Sequence, residues 1–409
     1  MKSSTSMGRR LGSFLMSIVT GALPSIIAIL AGFLLGFIIL LCVNPSQALA
    51  GIWMILKGGL TTGASGMGQV LYYTIPIMMT GLSVGFAFKT GLFNIGASGQ
   101  FMMGAFAAIF AGIKWTFLPS GIHWIAAILA GMVAGAIWGM IPGILKALCN
   151  VNEVITCIMT NYIGMSLVNF LIKTIPGLYN GTTNKTVQVD SSAVIPKWGL
   201  TKLLPYNSLN AGIIIAIFFG ILMYIILNKT TFGYELKACG YNKDASKYAG
   251  ISAKRNIVLS MVIAGALAGI GGAMLYLSGS GLYYSVVDIV ADEGFDGISI
   301  ALLGMSHPIG IIFSSVFISH IQVGGFNLQL LKYDNEIIDI IIASIIYFSA
   351  FSLVFSNILS KLLKGRGGRS KNANAEPDTP IPAPNVAANL NDPVNAESTS
   401  DESKGGDDQ

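Results

Sequence analysis

The chain has 409 residues and a net charge of +5; 53% of its residues are hydrophobic and only 11% are charged. Soluble globular chains carry about 25% charged residues, so this composition excludes a soluble enzyme and predicts an all-α, polytopic membrane helix bundle. The basic residues lie in loops between apolar runs rather than along one soluble face, so no nucleic acid partner is expected.

Candidate membrane spans follow from the length of the apolar runs, because a helix needs about 20 apolar residues to cross the hydrocarbon core. In chain order the runs are residues 24–43, 70–88, 95–113, 122–145, 154–172, 211–227, 257–277, 297–323 and 336–357. The run 297–323 contains Pro308 between Gly304 and Gly310, so we expect two short helices there, the discontinuous kind that lines a transport pathway. The sequence therefore predicts about ten membrane helices.

The loop charges predict the orientation. Of the 24 Lys and Arg residues, 16 fall on the predicted cytoplasmic side, five of them at residues 361–371, 7 fall on the external side, and the last, Lys404, lies in the acidic stretch 376–409. Cytoplasmic loops carry the excess of basic residues, so both termini are expected in the cytoplasm of a plasma (inner) membrane protein. Residues 1–23 are then a cytoplasmic segment, 24–360 the transmembrane domain, and 361–409 a basic, then acidic tail that we expect to be disordered.

Several kinds of chemistry find no support in the motifs. The chain has no Walker A motif, and its three His and four Cys residues are not at metal-ligand spacing, so neither a catalytic site, a metal nor a cofactor is expected. Acidic residues within the spans are scarce, Asp339 being the clearest, which argues against a proton-driven carrier. An ion-gradient-driven transporter of a small polar solute stays open as the alternative, whereas a membrane-embedded transferase lacks clustered Asp and His residues.

Four stretches together resemble the membrane permease subunits of ABC importers, in the group that serves branched-chain amino acids, simple sugars and nucleosides. They are residues 91–105 (GLFNIGASGQFMMGA), 152–162 (NEVITCIMTNY), 233–272, which begins GYELKACGYN, and 294–304 (GFDGISIALLG). The second and fourth stretches most resemble the nucleoside-type permeases. The resemblance covers roughly residues 60–350 and implies that ATP is hydrolysed on a separate chain.

The resemblance implies that the polar, cationic loop 228–256 is a cytoplasmic coupling segment that docks on the ATPase subunit. Aromatic and apolar anchors, lysines and two expected helix stops, Gly240 and Gly250, make up this segment. The expected docking residues are Tyr234, Leu236, Lys237, Gly240, Tyr241, Asn242, Lys243, Tyr248 and Gly250. The other interpretation is that its basic residues only set the topology and bind anionic membrane lipid.

Candidate pathway residues are Asn94, Ser98, Gln100, Asn161 and Tyr162. The first three follow a glycine-rich turn that admits close approach of a polar solute, although a gating or structural role fits them equally. The last two are costly in lipid, so we expect them to face the bundle interior, where hydrogen bonding between helices is at least as good an explanation as substrate contact.

Acidic residues before the discontinuous pair are expected outside the membrane. Among them, Asp296 is expected to cap a helix, and the others to meet a substrate-binding lipoprotein. The resemblance further implies a second permease subunit and alternating access. Its substrate would be a nucleoside, with a simple sugar as the next candidate.

Overall fold

The structure, a computed structural model, describes residues 26–27, 29–333 and 335–351. The predicted cytoplasmic segment 1–23 and the tail 361–409 lie outside the described residues. In chain order the helices are α1 (Ile29–Val43), α2 (Ala48–Lys57), α3 (Ala64–Lys89), α4 (Ala97–Lys114), α5 (Ser120–Cys149), α6 (Glu153–Thr174), α7 (Leu200–Leu203), α8 (Gly212–Lys229), α9 (Thr231–Tyr241), α10 (Lys243–Tyr248), α11 (Ala253–Tyr276), α12 (Glu293–Leu303), α13 (Pro308–Asn327) and α14 (Asn335–Ala350).

The predicted helical membrane fold is confirmed. Within the described residues, six helical segments are long and apolar enough to cross a membrane: α3, α5, α6, α8, α11 and Pro308–Leu331, which is α13 with the 3₁₀ turn that follows it. Helix α2, a short apolar helix that a second 3₁₀ turn, Gly58–Thr62, extends, was not predicted from the sequence. The expected number of ten membrane helices stays a prediction.

The predicted break at Pro308 is confirmed, but only α12, with 11 residues, is short; α13 has 20 residues, so the expectation of two short helices is wrong for the second. Helix α12 ends at Leu303 and α13 begins at Pro308, where proline suits the first helical turn. Between them, Met305 and Ser306 adopt left-handed backbone conformations with φ of 54° and 51°. The hydroxyl of Ser314 donates a 2.9 Å hydrogen bond to the carbonyl of Ile300, so the two helices are held side by side.

Helices α5 and α11 pack along a seam of glycines at the centre of the bundle. Gly131, Gly135 and Gly139 of α5 face Gly265 and Gly269 of α11 so closely that a Cβ atom on any of them would press against the opposite backbone or its side chains. In the sequence, the four-residue spacing of these glycines predicts close approach of two helix backbones, and the structure confirms that contact. Helix α4 packs against both α5 and α11, so these three helices form the layer that positions the candidate functional residues.

The segment between α6 and α8 forms a small ordered cap. Strands β1 (Tyr179–Asn180) and β2 (Lys185–Thr186) pair in an antiparallel hairpin between α6 and α7. His123 of α5 is fully buried, with its ring nitrogens 2.7 Å from the hydroxyl of Ser192 and 3.0 Å from the carbonyl oxygen of Ala111. This histidine therefore has a structural role, tying the cap to α4 and α5.

Candidate functional site

The polar segment 228–256 folds as two short helices, α9 and α10, with side-chain caps at their starts. The hydroxyl of Thr230 accepts a 3.1 Å hydrogen bond from the Gly233 amide at the start of α9. Asn242 separates the helices and caps α10, since its side-chain oxygen accepts from the amides of Asp244 and Ala245 at 3.0 and 2.9 Å. Gly250, with φ of 79°, follows the end of α10, which confirms it as a helix stop.

Three tyrosines of this segment project into solvent. Tyr234, Tyr241 and Tyr248 are 70%, 63% and 94% exposed, and Lys243 and Lys247 are exposed beside them. Soluble surfaces rarely leave so many large aromatic rings uncovered on 15 residues unless a partner covers them. The arrangement suits docking of a protein with apolar pockets and an acidic rim.

Two of the expected docking residues have other roles. Leu236 is completely buried in the main core, so the expectation that it anchors a partner is wrong. Gly240 is the second-to-last residue of α9, and the helix ends one residue later at Tyr241 with Asn242 in the C-cap position, so Gly240 is not itself the helix stop. A Cβ atom at Gly240 would lie 2.8 Å from the amide nitrogen of Gly91, which shows that glycine is required here for α9 to rest on the turn after α3. Lys237 is half-buried and donates a hydrogen bond to Asn228 over 3.4 Å.

The turn beneath α9 leads directly into the predicted polar cluster. Asn94 and Gln100 exchange two hydrogen bonds, of 2.9 and 3.1 Å, through their side-chain amides. Asn94 also donates to the hydroxyl of Ser83 on α3 at 3.2 Å, and all three side chains are buried. The structure therefore brings Asn94 and Gln100 together, but their amides pair with each other and hold the turn in place.

The two α6 residues differ from each other. Asn161 is buried, accepts a 2.8 Å hydrogen bond from the Gly99 amide and donates a 3.0 Å bond to the Ile95 carbonyl. It thus satisfies two backbone groups at the start of α4, as interhelical hydrogen bonding predicts. Tyr162 is 56% exposed on the outer surface of the chain, so the expectation that it faces the bundle interior is wrong.

Replacing Asn161 by leucine is expected to lower the melting temperature of the purified protein by roughly 5 °C. The change leaves the Gly99 amide and the Ile95 carbonyl buried without their partner, and each such loss costs about 1–3 kcal/mol. The measurement is thermal unfolding in detergent. Tyr162→Phe, on the exposed side of the same helix, is the control and should leave the melting temperature unchanged; equal melting temperatures in both variants would contradict the role given to Asn161.

The acidic residues at the start of α12 do not lie in an external loop, where they were expected. The hydroxyl of Thr80 donates a 2.7 Å hydrogen bond to the Glu293 carbonyl, and Thr80 lies about 13 Å along α3 from the end of that helix at Lys89. A Cβ atom on Gly294 would overlap Ser98 at the start of α4. The N-termini of α4 and α12 therefore meet within the bundle. Glu293 and Asp296 lie inside it rather than in an outer loop.

Asp296 also has a different role from the one expected. Asp292 occupies the N-cap position of α12, whereas the Asp296 carboxylate accepts a 3.2 Å hydrogen bond from Gln322 of α13. Ser98, in the facing first turn of α4, is completely buried, and its hydroxyl has no hydrogen-bond partner among the described residues. The glycines flanking these acids, Gly294 and Gly297, were the signal for close packing that the sequence offered.

Comparisons with known proteins agree on one family. The family model described as "Branched-chain amino acid transport system / permease component" matches residues 66–353. The guanosine ABC transporter permease protein NupP of Bacillus subtilis (strain 168) is 37% identical over 343 residues, which are 84% of this chain and 97% of the relative. The nucleoside ABC transporter permease protein NupB of Lactococcus lactis subsp. cremoris (strain MG1363) is 39% identical over 346 residues, 83% and 93% of the two chains.

A less similar relative is named for a different substrate, glucose. The glucose ABC transporter permease protein TsgB13 of Haloferax volcanii is 28% identical over 360 residues, 86% of this chain and 92% of the relative. No solved structure gives a significant match.

Proposed function

Because the chain belongs to the family of branched-chain amino acid transport system permease components, we propose that it carries nucleosides inward as a membrane-spanning subunit of an ATP-driven (ABC) importer. The resemblance that the four sequence stretches suggested is confirmed. The chain is a transport component of the plasma membrane rather than an enzyme, and its relatives give no support to the ion-driven alternative.

One observation carries the choice of substrate. The relatives named for guanosine and for nucleosides are 37% and 39% identical in sequence to this chain, whereas the relative named for glucose is 28% identical. Each alignment covers more than four fifths of this chain. Permeases that share so much sequence over nearly their whole length are expected to share the shape of their pathway. A nucleoside is therefore a better candidate than a simple sugar.

Docking of the ATPase subunit is proposed for the exposed face of α9 and α10. The aromatic anchors are Tyr234, Tyr241 and Tyr248, and Lys243 supplies positive charge to an acidic rim. Asn242 and Gly250 shape the segment by starting and ending α10. Anionic lipid headgroups would attract the same lysines but would leave three exposed rings unexplained.

Contacts beneath α9 suggest how ATPase closure would reach the pathway. Gly240 rests on Gly91, and the turn that begins there holds the Asn94–Gln100 pair at the start of α4. The first turn of α4 in turn packs against Gly294 of α12. A displacement of α9 would thus act on both helix N-termini inside the bundle, as alternating access requires. We propose the remaining partners, a second permease subunit and a substrate-binding lipoprotein, and both termini in the cytoplasm, on the family pattern and the loop charges.

Uptake in whole cells tests the proposal. Cells that lack this chain are expected to lose uptake of radiolabelled guanosine and to recover it when the chain is restored, while glucose uptake stays unchanged. ATP depletion should abolish the recovered uptake, and an ionophore that leaves ATP intact should not. Guanosine uptake that persists without the chain would overturn the proposal, and so would uptake that survives ATP depletion and collapses with the ionophore.

A further inference from the structure

A cavity of about 480 Å³ opens beside the N-terminus of α12. It lies between α4, the end of α11 and the loop segment 277–292 that connects α11 to α12. Small-molecule sites typically measure 300–1,000 Å³, so a nucleoside fits this volume. The lining residues that matter here are Met102, Tyr276, Tyr283, Tyr284, Asp292 and Glu293.

The walls of this cavity are held by hydrogen bonds from neighbouring elements. Asn169 of α6 donates to the Val287 carbonyl at 2.9 Å and to the Asp288 carboxylate at 3.1 Å. Two further hydrogen bonds join Thr186 of β2 to Tyr284. The Thr186 amide donates to the Tyr284 carbonyl at 3.0 Å, and the Tyr284 amide donates to the Thr186 hydroxyl at 3.1 Å. A loop fixed from two sides provides a preformed site, which lowers the entropy cost of binding.

Tyrosine rings supply the apolar surface of the cavity. Tyr276 and Tyr284 pack together with their ring centres 5.5 Å apart, and Tyr283 is 37% exposed next to them. Burial, together with the nearby charge of Glu293, raises the pKa of Tyr284 to about 12, so its hydroxyl stays a neutral hydrogen-bond group at physiological pH. Aromatic rings in this arrangement suit a planar heterocycle that can stack on them.

Two carboxylates add hydrogen-bond acceptors. Asp292 and Glu293 both line the cavity, and no Lys or Arg forms an ion pair with either within the described part of the chain. The backbone of Glu293 is held in place as well, because its carbonyl accepts the hydrogen bond from the hydroxyl of Thr80. A carboxylate has two acceptor oxygens, which match the N–H donors of a nucleobase, and its charge disfavours phosphate groups. Lys185, which is exposed, lines the cavity as well.

We propose that this cavity binds the nucleoside during import, with its base against the tyrosines and with N–H groups of the base donating to Glu293. The inference rests on the proposed function, because it assigns that substrate to a place in the chain. The site selects for bases with two adjacent N–H donors, such as guanine, and for uncharged nucleosides over nucleotides.

Glu293→Gln tests the proposal, with Asp190→Asn as its matched control. Asp190 is an exposed acidic residue between α6 and α7, does not line the cavity, and as asparagine keeps the one oxygen that accepts hydrogen bonds from Ser192. In cells whose only copy of the chain is supplied on a plasmid, Glu293→Gln is expected to raise the KM of guanosine uptake about tenfold, while Asp190→Asn leaves it within about twofold. Equal KM values in the two variants, at equal amounts of protein in the membrane, would overturn the proposal.

Tyr283→Leu is a second test of the binding site, for use if the Glu293→Gln protein does not accumulate in the membrane. The residue is exposed, so the substitution should not disturb folding, and loss of the ring is expected to raise the KM of guanosine uptake about tenfold. Phe117→Leu, in the exposed turn after α4, is the control. If Tyr283→Leu and Phe117→Leu have the same KM, the cavity is not the binding site. Such a result would leave the proposed function standing, whereas wild-type cells without chain-dependent guanosine uptake would refute the function itself.

Discussion

Replacement of Gly269 by leucine is expected to reduce the amount of folded protein in the membrane about tenfold or more. A Cβ atom at Gly269 would lie 3.0 Å from the Cα atom of Gly135 and closer still to the carbonyl oxygen of Gly131. Both neighbours are backbone atoms and cannot rotate away. Overpacking costs about 1–3 kcal/mol when side chains can move aside, and more when two backbones must separate. Helix α4 would be displaced as well, because Gly104 meets Gly269.

Immunoblots of isolated membranes and size-exclusion profiles in detergent measure this effect. Gly121→Leu is the matched control, since it makes the same change in α5 at an exposed position where a Cβ atom has no neighbour within 4 Å. The control should accumulate like the wild type. Normal amounts of monodisperse Gly269→Leu protein would show that the glycine seam does not govern assembly.

Gly240→Val is expected to lower nucleoside uptake about tenfold or more while the ATPase subunit still binds. The valine side chain would meet the amide of Gly91 and the carbonyl carbon of Thr90, both 2.8 Å from the position of its Cβ atom. Helix α9 would have to tilt away from the turn that holds Asn94 and Gln100. The exposed tyrosines would remain available for docking, so the variant separates binding of the ATPase from transmission of its motion.

The same experiment needs a control within α9. Cys239→Val changes the adjacent, half-buried residue to one of similar size and should retain uptake within about twofold of the wild type. Uptake and co-purification of the ATPase are measured on the same cells. Wild-type uptake by Gly240→Val would mean that the contact between α9 and the Gly91 turn carries no motion. Loss of the ATPase in this variant would instead assign Gly240 to docking.

Hydropathy and glycine spacing were enough to predict most of the fold. Long apolar runs predict helices directly, because a chain segment that crosses the membrane must satisfy its backbone hydrogen bonds within itself. Pro308 between two glycines identified the break between α12 and α13, since proline removes a hydrogen bond and suits a first helical turn. The small-residue repeats of α5 and α11 identified the central seam for an equally local reason.

Depth and facing direction could not be predicted in the same way. Apolar length shows that a chain crosses but not how far an adjacent turn enters the bundle, so Glu293 and Asp296 were expected outside. The side of α6 on which Tyr162 lies could not be predicted, because apolar residues occur all around this helix. No polar stripe separates its buried face from its exposed face. Leu236 was misassigned because α9 is a surface helix with one buried face, whose direction depends on its contacts with the ends of α8 and α3.

Co-purification of an ATPase with this chain tests the central claim most directly. Membranes are solubilised gently, and the full chain is recovered in its wild-type form and as the double variant Tyr241→Ala with Lys243→Ala. We expect an ABC ATPase to be recovered with the wild type and to be lost with the variant, in which two exposed side chains are removed from the docking face. An ATPase that binds the two forms equally, or none at all after crosslinking, would contradict docking through α9 and α10.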